Sequence, residues 1–338
     1  DPDATLDINL IENLFDAQAD AYRLAHLLDN ENIADVNQAI CDGKTTELIL
    51  SCEAIFNNNL SLIAQEIINA GKKFVFLAGP SSSGKTSTAY RLAYALRSYG
   101  IIPRVISADN YYLDYADRRI DENGNPDFES IYALDLDKFN DDMQALMRGE
   151  EVELPYYNFK TGKREYNGNI IDLGDKDILI VEGIHCLNEQ FSYSIPSDKK
   201  YKLCVSALPP LNIDEHNRLT SSDLRLIRRL VRDDRSRAHN AALTLIKWTD
   251  VRKCEEDNIF PYTETADKIL NTAILYELAA IKPFAERILF GVPRDSDEYF
   301  KAKELLKILD FVIPISTDLI PAHSIVREFI GGSCLNVG

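Results

Sequence analysis

Eight consecutive residues, Gly79-Pro80-Ser81-Ser82-Ser83-Gly84-Lys85-Thr86, follow the pattern G-x-x-x-x-G-K-[ST]. Glycines at both ends let the backbone curl around a phosphate, and the successive N–H groups form an anion cradle at a helix N-terminus. In such a cradle Lys85 reaches the β- and γ-phosphates as a point charge, and Thr86 holds Mg²⁺ through its hydroxyl. The run expected to bind ATP or GTP is Gly79, Ser81, Ser82, Ser83, Gly84, Lys85, Thr86 and Ser87. Two carboxylates stand at the ends of apolar runs. Asp109 lies in Ser107-Ala108-Asp109-Asn110-Tyr111-Tyr112, and Glu182 follows Ile178-Leu179-Ile180-Val181. An acid at the first position can take a proton from an attacking hydroxyl or hold a water on Mg²⁺. The second is placed to reach the metal shell, so Thr86, Asp109 and Glu182 form the candidate metal set. The competing reading of Asp109 is a cap on the next turn. A third feature is basic: Arg225, Arg228, Arg229, Arg232, Arg235 and Arg237 fall within 13 residues. Their spacing puts most of them on one helical face. Arginine forks stabilise spread phosphoryl charge, and a lid carrying them closes over a nucleotide. The alternative is a solvated face paired with Asp233 and Asp234.

These groups need a scaffold that brings strand ends together. The runs at 73–78, 102–109, 177–183, 201–207 and 310–316 read as buried strands, and helical patterns fill 134–149, 221–236, 239–256 and 266–290. Continuous apolar strands alternating with helices predict an α/β fold, a doubly wound parallel sheet with helices on both faces. In such a sheet ligands collect at the carboxyl ends of the strands. Polar stretches at 114–130 and 155–175 read as loops or hairpins over that face. Residues 1–71 read as a helical N-terminal segment broken at Asp42-Gly43, with a second helix over about 45–70. The kinase-like unit is expected over 72–290 with its lid at about 223–240. A C-terminal extension, 291–338, reads as helix, strand and helix.

Composition narrows the function. Of the 338 residues, 37 are Lys or Arg and 54 are Asp or Glu, a formal charge of −17. Such a chain repels duplex phosphates and anionic lipid heads, which argues against a nucleic-acid or membrane-surface binder. The six cysteines form no C-x-x-C pair and read as reduced thiols, which points to the cytoplasm. The acidic N-terminus does not read as a signal peptide, and no stretch reads as a membrane span. It lacks an initiating Met and reads as a processed or trimmed end.

An ordered set of motifs, GPSSSGKT, SADNYY, FES-IYALDLDKF, ELPYYNFKTGKRE, IVEGIH and RLIRRLVRD, resembles the uridine kinases of the uridine kinase and phosphoribulokinase superfamily over about residues 72–275. The closing REFIGGSC resembles a bacterial uridine kinase-like subgroup whose longer members carry a threonyl-tRNA synthetase-like N-terminal part. The resemblance implies a P-loop kinase fold and an ATP- and Mg²⁺-dependent kinase for a nucleoside 5′-hydroxyl of the uridine or cytidine kind. It implies Asp109 as the catalytic base and Tyr112 as an aromatic near the nucleoside. Glu129 stands where the family has an Asp holding the ribose hydroxyls, and Tyr157 and Phe159 match aromatics of the base pocket. Glu182 matches the metal-shell carboxylate. Arg229 and Arg232 match arginines on substrate and phosphates, and Arg237 a lid arginine.

Departures are visible. Gly162 stands where the family places a base-reading His, His239 where a second lid arginine is common, and the segment 206–222 is longer than the family turn. His185 lies close to Glu182, as a substrate contact or a structural residue. The partner is expected to be a small molecule, with a homo-oligomer compatible and neither nucleic acid nor membrane expected. A kinase for another sugar or sugar phosphate, a nucleotide-binding regulatory module and an RNA-associated module stay open.

Overall fold

Alternate side chains of a strand point to opposite faces, so a strand apolar at every position must be covered on both. β1 (Phe74–Ala78) is such a strand, buried throughout in the computed structural model, which describes residues 12–118, 130–214, 217–237 and 239–337. It is the middle of a five-stranded, all-parallel sheet with β2 (Ile102–Ser107), β5 (Asp177–Glu182), β6 (Lys200–Ser206) and β7 (Lys268–Asn271), in the order β2-β5-β1-β6-β7. Val75 and Leu77 face one layer, with α3 (Thr45–Asn69), α4 (Lys85–Ser98), α6 (Ser221–Ser236) and α8 (Glu277–Leu289). Phe74, Phe76 and Ala78 face the other, where Phe139 of α5 (Leu136–Met147) stacks on Phe191 at 4.1 Å. β3 (Val152–Asn158) and β4 (Lys163–Ile171) form an antiparallel hairpin. The expected α/β fold, with a mostly parallel sheet between helices, is the one found.

Register decides what meets at the sheet edge. Leu77 of β1 and Ser107 of β2 both pair with Glu182 of β5. The carboxyl ends of these three strands are therefore level, and the phosphate loop, the 107–111 turn and Glu182 emerge side by side.

Two expectations need correction. The pattern at 266–290 is not one helix: 268–271 is edge strand β7, and α8 begins at Glu277. Four strand residues before a turn are too few for periodicity to separate from the helix that follows. The run at 310–316 is not a strand. Its backbone groups are satisfied elsewhere: Ile315 N–H donates to Ala279 O, Ile313 N–H to Asn37 Oδ1, and Lys282 Nζ to Val312 O. The C-terminal region instead holds α9 (Tyr299–Asp310) and the short α10 (Val326–Ile330).

The N-terminal segment contains α1 (Glu12–Leu27), α2 (Ile33–Cys41) and α3; its first apolar residues, Ile8, Leu10 and Ile11, lie outside the described residues. α1 packs beside β7, and the long 206–222 segment docks on these helices. Gln18 Nε2 donates to Pro209 O, Asn212 N–H to Glu31 O, and Ile33 N–H to Asn212 O. All six cysteines are unbridged. No helix among the described residues is long and apolar enough to cross a membrane.

Candidate active site

Backbone geometry comes first. Gly79 leaves β1 so tightly that a Cβ there would sit 2.1 Å from Val205 O, which excludes every other residue. The loop turns back into α4, and Thr272 Oγ1 donates to Ser83 O from the end of β7. Lys85 Nζ donates to Gly79 O at 2.9 Å and Pro80 O at 3.3 Å, which lays its ammonium across the mouth of the loop. Ser81 N–H donates to Glu255 of α7 (Ala241–Asn258) at 2.9 Å.

A cavity of about 330 Å³ opens on this loop. Its lining includes Ser81, Ser82, Gly84, Lys85, Thr86, Asp109, Tyr112, Glu182, Arg229, Arg232 and Arg237. The structure therefore brings together residues separated by up to about 150 positions in the chain. The 3₁₀ turn carrying Asp109 is capped by Ser107 Oγ, which accepts the Asp109 N–H at 3.3 Å. The N-cap of this turn is Ser107. Burial, and then the nearby Asp109 charge, push the Glu182 carboxyl up to about 7.

The six arginines have three different fates. Arg225 and Arg228 are fully buried, paired with Glu255 and Glu277. Arg228 also donates to Ser82 O at 3.2 Å and Thr272 O at 2.8 Å, so it holds the phosphate loop from behind. Arg229, Arg232 and Arg237 line the cavity and share one buried carboxylate, Asp233, at 3.2, 3.0 and 3.7 Å. Arg229 NH1 also donates to Ser81 Oγ at 2.7 Å. Arg235 turns to the C-terminal arm. Asp234, offered as a partner of this face, pairs with Arg287 of α8. Burial and the neighbouring Arg232 lower Arg237 to about 10, which leaves it charged near neutrality.

Beside the cavity stands an aromatic cluster. Tyr112, Tyr157 and Phe159 meet edge to face, with centroids 5.0–6.3 Å apart. Tyr157 N–H donates to Asn110 Oδ1, which ties the hairpin to the Asp109 turn. Burial raises the Tyr157 phenol. Tyr112 lines the cavity; Tyr157 and Phe159 adjoin it through Tyr112. Gly79, Ser83 and Ser87 shape the loop from behind rather than line the cavity, and Ser87 Oγ donates to Glu328. His185 is buried and also outside the lining. Glu129 lies outside the described residues.

Gly162 closes the β3–β4 hairpin at φ +68°, and a Cβ there would stand 3.1 Å from Tyr115 Cβ. Its carbonyl accepts the Tyr115 N–H at 2.9 Å. A side chain at this position would be strained by the left-handed backbone and would crowd the Tyr115 Cβ.

Several participants escape sequence reasoning. Arg118 is buried, with its guanidinium 4.5 Å from the Tyr112 ring centre and 5.0 Å from that of Tyr157, a cation–π sandwich at the aromatic wall. Glu255 and Glu328 complete the loop's surroundings. An arginine in a polar loop ahead of aromatic residues was the one available signal for Arg118; the acids carried none.

The donor set suits the ligands implied. Thr86, Asp109 and Glu182 supply hard oxygens, as Mg²⁺ requires. Among the described residues no three His, Cys, Asp or Glu converge on one metal position. A cation held here takes most of its ligands from phosphate and water, which is the habit of Mg²⁺.

Comparison with known proteins agrees with this geometry. The sequence model described as "Phosphoribulokinase / Uridine kinase family" matches residues 74–274. The chain is 28% identical over 203 residues to a uridine kinase of Halalkalibacterium halodurans, covering 59% of this chain and 87% of that one. It is 28% identical over 195 residues to a uridine kinase of Staphylococcus aureus, covering 57% and 84%. Among solved structures, a putative fructose transport system kinase from Silicibacter sp. TM1040 aligns at 20% identity and TM-score 0.46, over 62% of this chain and 98% of that one. A possible uridine kinase from Bacillus stearothermophilus aligns at 17% identity and TM-score 0.43, over 63% and 98%. With its phosphate loop, level strand ends and matched central segment, the chain belongs to the phosphoribulokinase/uridine kinase family of kinases.

Proposed function

We propose that the protein is an ATP- and Mg²⁺-dependent kinase that phosphorylates a hydroxyl of a small molecule, with a nucleoside 5′-hydroxyl as the favoured acceptor. The supporting observation is the convergence of the phosphate loop, Asp109, Glu182 and three arginines on one cavity. Asp109 takes the acceptor's hydroxyl proton as its oxygen bonds to the γ-phosphorus and the bond to the ADP oxygen breaks. Lys85, Arg229 and Arg232 hold the charge that spreads over the phosphoryl oxygens, and their positions are fixed before reaction by loop carbonyls and Asp233. Thr86 and Glu182, with Asp109 close by, would hold Mg²⁺, which would supply neutralisation of phosphate charge. Tyr112, Tyr157 and Phe159 provide a flat apolar wall on the acceptor side.

A second reading, a kinase for another sugar or sugar phosphate, is favoured by one observation. Gly162 has no side chain with which to read a base, and sites built to hydrogen-bond a group discriminate far better than apolar walls. Acceptor-stimulated ADP release, measured over nucleosides, sugars and sugar phosphates, separates the two. In the productive assay Asp109→Asn is expected to lower turnover about 10²–10⁴-fold with ATP affinity nearly unchanged. Unaltered turnover would remove Asp109 from the mechanism.

A further inference from the structure

A carboxylate reaches the phosphate cavity from outside the family-matched segment. Glu328, on α10, is buried and lines the same cavity as Lys85, Thr86, Asp109 and Glu182. Its Oε2 accepts from Ser87 Oγ at 2.6 Å, at the third residue of α4. The arm that carries it is held from three sides. Arg235 of α6 donates to the carbonyls of Glu328 and Phe329 at 2.9 and 3.2 Å. The Ile325 Cγ2 lies 3.0 Å from the Cβ position of Gly84. Ser324 Oγ meets Tyr276 Oη at 2.9 Å, and Tyr276 in turn donates to the buried Glu53 at 2.7 Å. Glu328 is therefore a fixed charge and not a passing surface acid.

A neutral side chain would satisfy the Ser87 hydroxyl equally well, so the charge needs its own account. Four cations line the cavity, Lys85, Arg229, Arg232 and Arg237, and four acids, Asp109, Glu182, Glu255 and Glu328. The three arginines also share Asp233. The wall is thus close to neutral, unlike a site built to seize the most highly charged anion. Free ATP carries about twice the negative charge of its Mg²⁺ complex, so a fixed negative charge repels the free form about twice as strongly. We propose that Glu328 is a specificity-determining residue that makes the nucleotide site select metal-complexed over metal-free triphosphate. The proposal rests on the ATP-binding part of the function given above and is independent of the acceptor.

The test is equilibrium binding of ATP to the full chain, in excess Mg²⁺ and in EDTA at matched ionic strength. The proteins are wild type, Glu328→Gln, Glu328→Asp and Ser87→Ala, each checked for a native circular dichroism spectrum. Glu328→Gln keeps an acceptor for Ser87 and loses only the charge. It is expected to tighten binding in EDTA about tenfold and binding in Mg²⁺ less than about threefold. Glu328→Asp and Ser87→Ala keep the charge and are expected to hold the wild-type ratio of the two affinities within about twofold. An unchanged ratio in Glu328→Gln, or an equal shift under both conditions, overturns the proposal while leaving ATP binding in place. A ratio that falls as far in Ser87→Ala also overturns it, because loop position and not charge would then be responsible. A wild-type chain that binds ATP under neither condition overturns the phosphate-site reading, and the proposal with it.

Discussion

Arg228 and Arg229 are neighbours on α6, yet they belong to different structures. Arg228 points into the core, where Glu277 takes it bidentately at 2.6 and 2.7 Å and Ser82 O, Thr272 O and Thr272 Oγ1 accept its other N–H groups. Arg229 points to the cavity, shares Asp233 with two other arginines and touches the loop through Ser81. The buried pair acts as scaffold, and the cavity set is the one proposed to meet phosphate. What separates them is the number of partners each carboxylate serves. Glu277 serves one arginine of the stripe, whereas Asp233 divides its charge among three.

The sharpest attempt to break this distinction is to truncate both kinds. Arg228→Ala leaves Glu277 ionised and buried, and is expected to cost about 3–5 kcal/mol of stability. Urea unfolding measures this, and a loss under about 1 kcal/mol would erase the difference between the two sets. Arg232→Ala comes next. Asp233 keeps Arg229 and Arg237, so stability is expected to fall by only about 1 kcal/mol. Acceptor-dependent kcat is expected to fall about 10²–10³-fold, the usual loss for one donor aimed at developing charge. Normal turnover in a destabilised Arg232→Ala would move this arginine into the scaffold.

A third test probes the opposite wall, where an acid is buried beside another acid. Glu182 titrates near 7 in the fold, against an ordinary value of 4.5. Between those values the native state holds a proton that the unfolded chain has released, so stability declines as pH rises through the window and levels off above it. The decline attributable to Glu182 is about 3 kcal/mol. Glu182→Gln is expected to flatten this slope in unfolding curves taken from pH 4.5 to 7.5 without added metal. An unaltered slope would place the titration on another group.

The phosphate loop was legible because its chemistry, spacing and flanking strand and helix are local. Asp109 and Glu182 were legible as strand-end acids, since a parallel sheet brings such ends together. The division of the arginines was not. Helical periodicity reports which residues share a face, and the partners that decide burial, Glu255 and Glu277, lie 30 and 49 positions further along. The same limit explains 310–316, whose apolar run resembles a strand while its hydrogen bonds go to α8 and Asn37. Gly162 was visible as a departure from the family pattern, but that it sits in a left-handed turn against Tyr115 depends on the hairpin register.

The Ser87–Glu328 contact closes a span of 241 residues. Chains are synthesised from the N-terminus at about 5–20 residues per second, so the α4 end of this contact leaves the ribosome roughly 10–50 s before its partner. During that interval the phosphate-loop residues stand without the arm that packs on Gly84 and engages Arg235. A nascent chain therefore acquires its loop residues early and completes their surroundings last.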